Sequence, residues 1–320
     1  MSMRVTAEVL FHPSDERLRF LPEGPYPFAR DQFSWVAIQC GPSAKQGAVN
    51  IFDWKTKQNT SFDLPGRPGF AFATNQDGVF VAGCERELGL FSIHDRTWKV
   101  LASGIDFDRE GTVINDGVVW DGNIIFGTKD LEFKTKKAGL YLYRGKDKKV
   151  IRLRDDQVCS NGKAILKSTD GNLTLLDIDS PSRTVVAYDL DIDSATLSAP
   201  KVVLDLTADP AVPDGMILSP DHKSVIISMY NPNPALHGET RQYRLSDSAL
   251  ECTWITPGSP QNTCPQLVLM ENKVYLIITT ALEFMPQERR ALSPEAGTLF
   301  CVATQWNYPS ESPVFQLPSD

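Results

Sequence analysis

Histidine is scarce in this chain: His12, His94, His222 and His237 are the only four in 320 residues. No G-x-S-x-G element accompanies them, which excludes a Ser-His-Asp hydrolase of the usual strand-turn-helix kind. The six cysteines, at 40, 84, 159, 252, 264 and 301, show no C-x-x-C spacing. That argues against a thiolate zinc site or a disulfide framework, and the thiols read as reduced, small apolar residues. No apolar run approaches the roughly 20 residues of a membrane span. The opening MSMRVTAEVLFHPSDERLRF is broken by charge and has no apolar signal core, so no membrane association and a cytoplasmic location are expected. Basic residues are outnumbered 32 to 40 by acidic ones, for a net charge of −8. No Lys/Arg cluster is interleaved with aromatics, which excludes nucleic acid as a partner; the local run Lys134 to Lys137 reads as a solvated loop tip.

Helical periodicity is also nearly absent, and in its place stands a repeat. An acidic residue heads a polar turn at Asp31, Asp77, Asp121, Asp170, Asp221 and Glu271, with separations of 46, 44, 49, 51 and 50 residues. After each turn comes FSWVAI, VFVAG, IIFGT, LTLLD, SVIISM or VYLIIT, rich in the β-branched and aromatic residues of a buried strand. A third run in each unit, such as GLFSI or GLYLYR, alternates as a strand with one wetter face does. Three or four strands repeated six times predict an all-β fold, a six-bladed β-propeller with residues 1–320 as one domain. MRVTAEVLF is expected to pair into the last blade and close the ring, removing exposed sheet edges.

The same register locates chemistry. Six to nine residues before the turn, four units carry an oxygen-bearing side chain beside a glycine: Glu23 in PEGP, Asn115 in INDG, Asn161 in CSNG and Asp214 in PDGM. The first strand of each blade lines the central channel, so these side chains are expected to face one another there. The other two units have Arg67-Pro68-Gly69-Phe70 and Asn262-Thr263-Cys264-Pro265 and are expected to be walls. Two carboxylates and two amide oxygens form a hard donor set, suited to one divalent ion, Ca²⁺ first, with Mg²⁺, Mn²⁺ or Zn²⁺ as alternatives. Each motif alone reads as an ordinary turn, since Asn and Asp mimic backbone turns and Gly accepts positive φ. The shared position in four repeats favours a site. Cys159 and Cys264 fall at the same channel end and are expected to be unreactive, and His237 is expected to overhang the channel mouth.

The ordered set PEGP at 22–25, INDG at 114–117 followed by IIFGT, CSNG at 159–162, DSPSRTVVAYDLD at 179–191 and VPDGM at 212–216 resembles the senescence marker protein, gluconolactonase and luciferin-regenerating enzyme family over nearly the whole chain. The resemblance implies a six-bladed propeller with a metal site in the channel. It also implies a metal-dependent hydrolase acting on a small, sugar-derived lactone. By resemblance Glu23, Asn161 and Asp214 are the metal ligands, and Asp214 is also the general base. Asn115 reaches the metal region and substrate, holding the oxyanion as a second catalytic residue, and Asp116 follows as in the family's motif. Val113 stands where many members have a substrate-contacting arginine, implying a more apolar wall. Glu132 is matched to a substrate-contacting glutamate, with a solvated loop charge as the plain alternative.

The resemblance implies a mechanism in which metal-activated water, deprotonated by Asp214, attacks the lactone carbonyl. An aryl-ester or organophosphate hydrolase and a non-catalytic Ca²⁺-binding propeller stay open beside it. Specificity is expected in loops 40–48, 129–138, 230–240 and 282–296. The last, with a short helical turn, is expected to form a lid or a homodimer contact.

Overall fold

Strand composition sets a gradient of burial across each blade. The inner strand Pro68–Ala73, PGFAFA, is buried at all six positions, whereas the outer strand Gln58–Asp63, QNTSFD, has no buried residue. An inner strand is covered on both faces by its neighbours, so it needs no polar alternation. The computed structural model, which describes residues 2–317, arranges the strands in six sheets. Their innermost strands are Pro22–Ala29, Pro68–Ala73, Thr112–Trp120, Ser160–Lys167, Val212–Leu218 and Asn262–Met270, defining blades one to six. The expected six-bladed propeller is the observed fold.

The acidic turns join the first and second strands of each blade. Asp31, Asp121 and Glu271 take positive φ of 58°, 45° and 48°, a conformation that short polar side chains tolerate better than branched ones. Asp31 also accepts from Glu271 N at 2.7 Å, tying the turns of blades one and six.

The core lies between blades. Six apolar clusters each bridge adjacent blades, from Val36 and Phe80 between one and two, through Phe70 and Phe126 between two and three, round to Trp35 and Ile277 between six and one. Every large side chain so buried contributes about 1.5–3 kcal/mol.

Closure differs in part from expectation. Glu8–Phe11 pairs antiparallel with Leu299–Ala303 and supplies the outer strand of blade six, as anticipated. Met3–Thr6 instead pairs in parallel with Leu250–Pro257 at the edge of blade five. One short segment thus covers two edges, because blade six contributes only three strands of its own and blade five would end on an open ladder.

At the turn end of the channel, the C-terminal segment crosses beneath the blades. Ser310 Oγ donates to Leu218 O, Tyr26 Oη donates to Pro313 O at 2.8 Å, and buried Phe315 pairs its backbone with Thr74. The only α-helical turn among the described residues is Gln287–Arg290, and no helix is long and apolar enough to cross a membrane.

Candidate metal and substrate site

In all six blades the ladder between the two inner strands slips at the same level, after Glu23, Pro68, Ile114, Ser160, Pro213 and Asn262. These are β-bulges, which bend a strand and re-aim its side chains. The Asn-Asp-Gly, Ser-Asn-Gly and Pro-Asp-Gly words are therefore bulges within strands, not turns. Their glycines answer to packing. A Cβ on Gly162 would lie 2.5 Å from Met216 N and 2.7 Å from Asp214 O, so only glycine lets blades four and five approach at this level. Gly69 does the same for blades two and three, where a Cβ would lie 2.3 Å from Asn115 O.

The bulges bring Glu23, Asn115, Asn161 and Asp214 to the floor of one cavity of about 710 Å³. All four are buried. Asn161 is held in one orientation: its Nδ2 donates to Ser180 Oγ at 2.7 Å, and Ser180 Oγ donates to Pro213 O at 2.6 Å. Its Oδ1 is thereby turned to the floor, where it accepts from Asn115 Nδ2. Asn115 Nδ2 also donates to Ser160 O at 2.9 Å. Both of its N–H groups are engaged, so Asn115 offers the cavity an acceptor oxygen. The oxyanion-donor role implied for it is not available in this arrangement.

Electrostatics mark the floor as a place short of positive charge. Burial raises the Glu23 carboxyl well above the usual carboxylate range, and Asp214 and Asp116 push it the same way. Burial and then Asp116 raise Asp214 likewise. Buried carboxylates that repel one another are stabilised by a cation. Among the described residues no three His, Cys, Asp or Glu side chains converge as a metal cluster; the hard-oxygen floor uses an amide oxygen as its third donor. Two carboxylates and an oriented amide oxygen fit a divalent ion of the Ca²⁺ or Mg²⁺ type. Burial also keeps the Cys159 thiol, on the cavity wall, and the Cys264 thiol, below it, protonated.

Other expected residues fall elsewhere. Asp116 faces a separate lower channel cavity of about 120 Å³ with Lys163, because its direction is opposite to that of Asn115 within the bulge. Its carboxyl is pushed up to about 6, by burial first. Val113 is buried in its strand, paired with Lys129, and does not line the upper cavity. Glu132 stands at the rim with its side chain 67% exposed, 3.3 Å from Lys134. His237 begins the third strand of blade five, beside Glu239 and off the cavity lining. Of the expected loops, 40–48 contributes no lining residue.

Lys129 and Glu283 were not singled out from the sequence, yet both line this cavity. Lys129 is 5% exposed. Burial works against its charge, but Glu283 first, with Glu23 and Asp214, keeps its pKa above the ordinary lysine value. Glu283 opens the 282–296 segment; Tyr230 Oη and Gln261 Nε2 both donate to its carbonyl at 2.7 Å. Above them Phe133 and Phe284 meet edge to face, ring centroids 5.7 Å apart. Phe133 is presented by a loop wrapped on Asp130, which accepts from the backbone N–H groups of Glu132, Lys134 and Thr135.

The fold and floor define a six-bladed propeller with an acidic, amide-flanked site at one end of its channel. The chain belongs to the family described as SMP-30/gluconolactonase/LRE-like, whose pattern it matches over residues 21–281. It is 28% identical over 180 residues to "Putative sugar lactone lactonase YvrE" of Bacillus subtilis, covering 56% of this chain and 57% of that protein. It is 30% identical over 200 residues to regucalcin of Danio rerio, covering 61% and 63% respectively. The matched segments thus span less than two thirds of these relatives. Among solved structures, the calcium-binding protein regucalcin from Agrobacterium tumefaciens superimposes with a TM-score of 0.79 at 18% identity, covering 98% of this chain and 100% of that one.

Proposed function

We propose that this protein is a metal-dependent hydrolase of small lactones. The observation that carries the reading is the convergence of Glu23, Asn161 and Asp214 on one buried cavity floor, with an excess of negative charge that a divalent cation offsets. These three residues would hold the ion. When bound, it supplies Lewis acidity toward a carbonyl oxygen and lowers the pKa of nearby water. Asp214 accepts the water's proton and returns it to the ring oxygen as the lactone opens to a hydroxy acid. Asn115 Oδ1 accepts from a substrate hydroxyl and orients the ring, while Ser180 holds Asn161 in place. Phe133 and Phe284 exclude water from above. The names of relatives that include a lactonase and calcium-binding regucalcin support the lactone and favour Ca²⁺.

The test is acid release, followed with a pH indicator, over sugar, alkyl and aryl lactones with Ca²⁺, Mn²⁺, Zn²⁺ or chelator. Turnover is expected to require metal and to fall about 10²- to 10⁴-fold in Asp214→Asn. Turnover that survives both chelation and Asp214→Asn would refute the mechanism. Silence on lactones with turnover of aryl esters would reassign the substrate.

A further inference from the structure

We infer that Lys129 and Glu283 form a two-sided clamp that selects lactones carrying ring hydroxyls, a specificity device separate from the metal ligands. The inference rests on the lactone reading above. Lys129 is one of the most buried lysines in the chain, yet its ammonium makes no hydrogen bond or ion pair with any described residue and faces the cavity. Its stem lies on the sheet face shared with its directly paired neighbour Val113. Lys163, equally buried, shows the contrast: it donates to Ser160 Oγ at 2.8 Å and Asn161 O at 2.6 Å and pairs with Asp177 at 3.3 Å. Apart from the Phe133 ring, whose centroid lies 5.8 Å from its Nζ, the Lys129 ammonium meets no acceptor among the described residues, so its three N–H donors are free for a ligand in the cavity.

Glu283 lines the same cavity from the loop on the other side and is the acid that acts most on Lys129, yet the two are too far apart to pair. An ammonium donor and a carboxylate acceptor that line one cavity without pairing match hydroxyls, which accept from one and donate to the other. The Glu283 backbone is pinned by Tyr230 and Gln261, so the acceptor side is held in position before substrate arrives. Leu131, Phe133 and Phe284 give the upper wall its apolar part, and of its other polar groups Tyr230 Oη is spent on Glu283 O and Glu132 pairs with Lys134 at the rim. Lys129 and Glu283 therefore add to Asn115 the charged donor and acceptor that favour hydroxylated over bare rings.

The experiment compares kcat/KM for glucono-δ-lactone and δ-valerolactone, which share a six-membered lactone ring and differ in hydroxyls. Wild type is expected to prefer glucono-δ-lactone, and Lys129→Met and Glu283→Gln each to lower that preference about tenfold to a hundredfold, the loss of a charged hydrogen bond. Lys129→Arg is expected to restore much of it. Binding of anhydroglucitol, in which a methylene replaces the lactone carbonyl, is measured calorimetrically and is expected to weaken in Lys129→Met by a similar factor. Hydrolysis of both lactones with a preference unchanged within about threefold in the variants would overturn the clamp. An equal fall on both lactones would overturn it too, placing Lys129 at the carbonyl instead. A wild type that hydrolyses neither lactone but binds anhydroglucitol through Lys129 would sustain the clamp and sink the lactonase reading.

Discussion

Replacing Ser180 by alanine tests the floor of the site without touching Glu23, Asn161 or Asp214, the residues proposed to hold the ion. Its hydroxyl accepts from Asn161 Nδ2 at 2.7 Å and donates to Pro213 O at 2.6 Å, bridging blades four and five. Ser180→Ala leaves a buried amide N–H and a buried carbonyl without that partner, and each such group costs about 1–3 kcal/mol. A combined loss of about 2–6 kcal/mol corresponds, at about 2.1 cal/mol/K per residue, to a melting temperature lower by about 3–9 °C. The larger consequence is orientational. With only Asn115 Nδ2 at its oxygen and the weak Cys159 Sγ contact at its nitrogen, the Asn161 amide can rotate and offer N–H instead of oxygen to a cation. Removing an orienting partner of this kind typically lowers metal affinity about 10- to 100-fold. The assay is thermal unfolding across a Ca²⁺ titration against a chelated baseline, with Ser310→Ala as control. Ser310 is also a buried serine bonded to a backbone carbonyl, but at the far end of the channel. Both variants are expected to lose stability, and only Ser180→Ala to shift the Ca²⁺ midpoint. A Ca²⁺ midpoint within about twofold of wild type in Ser180→Ala would show that Ser180 does not orient Asn161 toward a cation.

Three further outcomes follow from the same structure. The native carboxyl of Asp116 sits at about 6 and those of Glu23 and Asp214 are also raised. The metal-free native state therefore binds more protons than the unfolded state between about 4 and about 6, and its stability falls as pH rises through that window. The paired surface carboxylates of Asp108 and Asp147, held at about 2, act only below it. Thermal unfolding in chelator is expected to show this decline, and the Tm gain from Ca²⁺ to grow with pH; a metal-free Tm that rises across the window would contradict it. Gly69→Ala places a methyl 2.3 Å from Asn115 O, so it is expected to cost about 1–3 kcal/mol and displace the Asn115 bulge. A variant as stable as wild type by urea unfolding would show that blades two and three have slack there. Phe315→Ala empties a buried site between the C-terminal segment and blades two and three. It is expected to cost about 3–5 kcal/mol in urea unfolding while leaving Ca²⁺ affinity unchanged, and a loss below about 1 kcal/mol would mean that the segment does not seal the ring.

The chain's own spacing determined the number of blades. A turn every 44 to 51 residues, each followed by an apolar run, is a local property, and a unit that cannot bury both faces alone must stack on its neighbours. The same register was enough to place Glu23, Asn115, Asn161 and Asp214 together, because equivalent positions in a closed ring share one level. Where residues depended on the path between units, the sequence was silent or misleading. The N-terminal segment divides between blades five and six because two edges needed cover, and edge demand is not written in MRVTAEVLF. Asp116 and Asn115 are adjacent in sequence but open onto different cavities, since a bulge fixes direction only once the ladder is paired. Val113 shows an apolar residue on one strand; that the cation beside it is Lys129 emerges only from the cross-strand register. Lys129 and Glu283 are 154 residues apart and share a cavity only because blade three faces the loop of blade six across the axis. Periodicity is carried by short-range pattern, whereas side-chain direction and partnership are decided by bulges, register and ring closure, which exist only in the folded molecule.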